Sequence, residues 1–187
     1  MSKKTTQQSG FTLVEISLAM AIFTFMLLVV SMAYINIARL YNASTAARNV
    51  QQNNRFAMEQ MSRVARTSSR AITVNSGDIT GVCFNPKSGS QLFYLQNNQL
   101  RQATVSDCTG LPTAEEPGQV LTSSGTNAVR LAVDTSVPRT VTMTLWMASK
   151  TDLVGTVDGS GLQCKQGAGS EFCAVNKLTT TVELRGE

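Results

Sequence analysis

The chain has 187 residues, 42% of them hydrophobic, and a formal net charge of +4. That length suits one domain of moderate size plus an additional element, and so mild a charge gives no argument for a nucleic-acid partner. The absence of histidine excludes Ser-His-Asp and Cys-His nucleophile arrangements, histidine-based zinc sites and the usual general base near neutral pH.

Residues 1–10 are short, polar and cationic, with Lys3 and Lys4 and no apolar stretch before Gly10. Ile16 to Ala38 then runs for 23 residues without a charge. As a helix it reaches about 35 Å, enough to cross a hydrocarbon core of about 30 Å. The two lysines favour a cytoplasmic N-terminus, although Arg39 and Arg48 follow on the other side. No Gly or Pro interrupts Phe11 to Ser76, and strong helix formers dominate. One helix is therefore expected over about 12–70, roughly 90 Å long. Its first part, 11–38, is apolar all round and suits a membrane or helix-assembly role. Its second part, 39–70, is amphipathic at helical period. Ala43, Ala47, Val50, Ala57, Met61, Val64 and Ala65 fall on one side, and Arg48, Arg55, Glu59, Arg63, Arg66 and Arg70 on the other.

Glu15 is out of place in so apolar a segment, since a carboxylate at mid-bilayer costs about 2.5–3.5 kcal/mol on insertion scales. Two explanations fit. A carboxylate at a helix N-terminus is favoured by the macrodipole, or a positive charge arrives from another chain.

Beyond the helix the period changes to two. Strands are expected at Ile79–Phe84, Gln91–Gln96, Gln99–Thr104, Ala128–Val133, Thr140–Met147 and Thr179–Leu184. Asn97-Asn98 suits a tight hairpin, because Asn tolerates positive φ. The expected fold class is α+β, with the helix packed through its amphipathic half on an antiparallel sheet in a β-rich domain over 71–187. Four cysteines lie in that domain, at positions 83, 108, 164 and 173. Two disulfides in an extracytoplasmic domain allow three connectivities. Cys83–Cys108 and Cys164–Cys173 is the favoured pairing, because both bonds close local loops; four buried thiols is the alternative.

Gly10-Phe11-Thr12-Leu13-Val14-Glu15, followed by the apolar run from Ile16, closely resembles the class III signal of type IV pilins and type II secretion pseudopilins. The resemblance implies that 1–10 is a leader, cut by prepilin peptidase between Gly10 and Phe11, with N-methylation of Phe11. It also implies that Glu15, fifth in the mature chain, pairs with the N-terminal amine of a neighbouring subunit. The competing reading is a secretory signal peptide cut after Ser31-Met32-Ala33. Major pilins often carry a proline about twenty residues into the mature helix, and none stands here before Pro86. Residues 53–66, 92–101 and 182–185 resemble minor pilins of the W and J types. The implied function is a minor pilin or pseudopilin that assembles or primes a filament from the cytoplasmic membrane. Its outer domain would lie beyond the cytoplasm and its partners would be sister pilins. The alternatives are a type II secretion pseudopilin and a tip subunit for adhesion or DNA capture.

Other candidates carry less. The arginine stripe could face an acidic partner or DNA, but reads better as a solvated face with Glu59 paired at i,i+4. Asp152, Asp158 and Glu171 in Gly-rich surroundings match no defined calcium loop. Trp146 and Phe172 could be exposed interaction points, but a lone Trp on an alternating strand is usually core. Ser149-Lys150 lacks a nucleophile's supporting groups. No catalytic residue, metal or cofactor is assigned.

Overall fold

The computed structural model describes residues 11–76, 79–86, 89–108, 118–149, 153–154, 163–164 and 173–185. A single long helix, α1 (Leu13–Arg66), opens the chain. The chain divides into two units between Tyr41 and Asn42.

In the first unit every described residue but one is exposed, including Phe23, Phe25, Leu28 and Val30. A helix apolar all round has no polar side to give to water. In the second unit the remainder of α1 buries a regular stripe of Val50, Asn54, Ala57, Met58, Met61 and Ala65. Steps of three and four residues keep such positions on one helix face.

The helix ends at Arg66 rather than near 70. Thr67 and Ser68 explain why: their hydroxyls donate to the Val64 carbonyl at 2.9 and 2.6 Å, satisfying helix-end acceptors locally. Arg70 consequently belongs to the first strand and leaves the helical stripe.

Five antiparallel strands follow in simple meander order: β1 (Ser68–Ser76), β2 (Ile79–Pro86), β3 (Ser90–Gln96), β4 (Gln99–Val105) and β5 (Gln119–Val120). Asn97 and Asn98 turn the β3–β4 hairpin with φ of 50° and 58°, the left-handed pair that a two-residue hairpin loop needs. A second antiparallel sheet contains β6 (Asn127–Asp134), β7 (Thr140–Ala148) and β10 (Val175–Glu183), with β7 in the centre. A small antiparallel pair is formed by β8 (Leu153–Val154) and β9 (Gln163–Cys164). The strands thus divide among sheets instead of forming one. The two larger sheets meet where Ala128 N donates to the Asn98 carbonyl at 2.8 Å.

Both larger sheets pack on the helix stripe, giving the α+β layering. Met58 and Met61 join Phe84, Phe93, Leu100, Leu131, Met143 and Leu145 in one core. Phe84 and Phe93 meet edge to face with centroids 6.0 Å apart, a favoured aromatic geometry. A smaller cluster of Cys83, Leu92, Tyr94 and Ala103 occupies the opposite side of the five-stranded sheet.

Strand parity corrects one expectation. On β7, Val141, Met143, Leu145 and Met147 are buried, so the intervening Trp146 stands on the outer face, part-exposed.

Candidate functional site

The start of α1 is organised by three bonds between two residues. Thr12 is the N-cap, and its carbonyl accepts from Ile16 N at 3.3 Å. Glu15 N donates to Thr12 Oγ1 at 3.3 Å, while Thr12 N donates to Glu15 Oε2 at 3.0 Å. Thr12 Oγ1 also donates to Glu15 Oε2 at 3.0 Å. This reciprocal arrangement is a capping box, which satisfies orphan donors at both positions. The sequence signal for it is Thr-x-x-Glu ahead of an apolar run. The macrodipole-favoured carboxylate of Glu15 thus has a particular partner within the chain, Thr12.

Phe11, Glu15, Ile16, Ala19, Met20 and Phe23 line one side of this helix start. Glu15 is the only charge among them, and Phe11 is 82% exposed. Chemically the site offers an acceptor-only carboxylate set in an apolar strip. It suits a cation carried by an apolar partner. Gly10 and the rest of 1–10 lie outside the described residues. The same helix is long and apolar enough to cross a membrane.

The cysteines form two disulfides. Cys83–Cys108 has a Cα separation of 5.6 Å and Cys164–Cys173 one of 5.8 Å. The first fastens the chain after β4 to buried Cys83 of β2. Tyr94 supports the same side of the sheet, its hydroxyl accepting from Gly118 N at 3.2 Å.

Arg48, Arg55, Arg63 and Arg66 lie exposed along the outer half of α1. Arg63 Nη2 reaches Glu59 Oε1 at 3.4 Å, with both side chains about 70% exposed (70%/71%). Such an exposed i,i+4 pair in high dielectric contributes at most a few tenths of a kcal/mol, roughly 0.3–0.5. On the opposite side of the helix Asn54 is fully buried. Its Nδ2 donates to Asn176 Oδ1 at 2.7 Å and to the Leu145 and Asn176 carbonyls at 3.3 Å each. One polar side chain therefore ties the helix to β7 and β10. The signal was available, because Asn54 sits one turn beyond Val50 on the apolar face.

Asp152, Asp158, Lys150, Glu171 and Phe172 lie outside the described residues. Among the described residues no group of three or more His, Cys, Asp or Glu side chains is placed to hold a metal ion.

Residues 5–31 match the family model for the prokaryotic N-terminal methylation motif. No curated protein and no solved structure matches the chain. The matched segment spans the Thr12–Glu15 capping box and the start of the exposed apolar helix. It is the prepilin-type signal, and it supports the type IV pilin and pseudopilin family for this chain.

Proposed function

We infer that the chain is a minor pilin or pseudopilin, made as a precursor and assembled through its N-terminal helix into a type IV pilus-like filament. The observation that carries this reading is the methylation motif over 5–31, whose residues 13–31 form the start of a helix with apolar side chains exposed all round. Lipid covers those side chains before assembly, and the helices of sister pilins cover them afterwards.

Prepilin peptidase cuts between Gly10 and Phe11, and Phe11 receives the methyl group. The precursor is held in the cytoplasmic membrane as a single-pass protein with its β-rich domain outside the cytoplasm. The two disulfides support that orientation, because they persist in oxidising compartments. The lack of a proline between Phe11 and Pro86 favours the minor pilin or pseudopilin over a major pilin.

Cleavage creates a cation one turn from Glu15. The Phe11 amine of one subunit then pairs with Glu15 of its neighbour. Two unit charges about 4 Å apart gain about 4 kcal/mol at an effective dielectric of 20, enough to set the register between otherwise slippery apolar helices. Thr12 holds the Glu15 carboxylate at the helix start until that partner arrives.

The test is Glu15→Ala in the producing cell, with filament incorporation measured beside membrane level. Wild-type membrane level with incorporation reduced at least tenfold is expected. Unchanged incorporation would overturn the charge-pair account.

A further inference from the structure

We draw no further inference here: the strongest candidate, the long edge strand β10 of the β10–β7–β6 sheet, matches itself in an antiparallel pairing about Thr180, but Ser68, whose carbonyl accepts from Arg185 N at 3.1 Å, already stands where the Val175 of a second copy would lie, and nothing among the described residues shows what else covers that edge.

Discussion

The two parts of α1 share one secondary structure and differ in what covers them. Over Asn42–Arg66 the sequence alternates apolar and charged faces at helical period, and the apolar face is closed by the chain's own sheets. Val50, Ala57, Met61 and Ala65 are completely buried there. Over Leu13–Tyr41 apolar residues occur all round, and all of them but Ala38 are exposed among the described residues. The outer part is thus stabilised by folding. Under the proposed function, the inner part is covered by a membrane or by other chains. The charges follow the same division. Arginines line the solvated side of the outer part, and the inner part carries one carboxylate, engaged by Thr12, and one arginine, Arg39, near its far end.

The largest effect is expected in the core. Met61→Ala should destabilise the β-rich domain by about 2–5 kcal/mol through lost transfer energy and a residual cavity, seen as a lower denaturant midpoint. Met20→Ala, at a methionine 67% exposed in the other unit, should leave that midpoint unmoved. Equal shifts would mean that the two parts are not differently covered. Loss of Cys83–Cys108, by paired serine substitution, should cost about 3.5 kcal/mol on a loop-entropy argument, against about 2.6 for the shorter Cys164–Cys173 loop. Urea titration of the two variants would rank them. Asn54→Ala should cost about 1–3 kcal/mol, because it leaves acceptors on β7 and β10 unmatched. Faster amide exchange in β10 would locate the loss. Smallest of all, Glu59→Gln should change stability by no more than about 0.5 kcal/mol, and less at high salt. A larger effect would show that the arginine face is not simply solvated.

Much of this organisation was legible in the sequence. The uninterrupted helix former content predicted α1, and the change to a period of two predicted β2, β3, β4, β6 and β7 with small boundary differences; β10 begins at Val175, four residues before the expected Thr179. Asn97-Asn98 announced its turn by chemistry alone. The strand β1 was hidden, because its residues follow the helix without Gly or Pro. What ends the helix is side-chain competition from Thr67 and Ser68, a local effect that propensity sums overlook. The outward Trp146 was misread by residue type, although the buried Val141, Met143 and Leu145 already fixed its parity. β5, β8 and β9 are two-residue strands that exist only through their pairing, and no local pattern encodes them. At the helix start, the Thr-x-x-Glu spacing encodes the capping box, in which Thr12 matters as much as the charge of Glu15.

The proposed function requires that processing cuts ahead of the inner helix and leaves it on the chain. Intact-mass and N-terminal analysis of the membrane-extracted protein tests this directly. The predicted result is a chain that begins at Phe11 and carries one added methyl group, so that an N-terminal amine stands within reach of a neighbouring Glu15. A chain that begins at Tyr34, after Ser31-Met32-Ala33, would have discarded the apolar segment and would contradict the account.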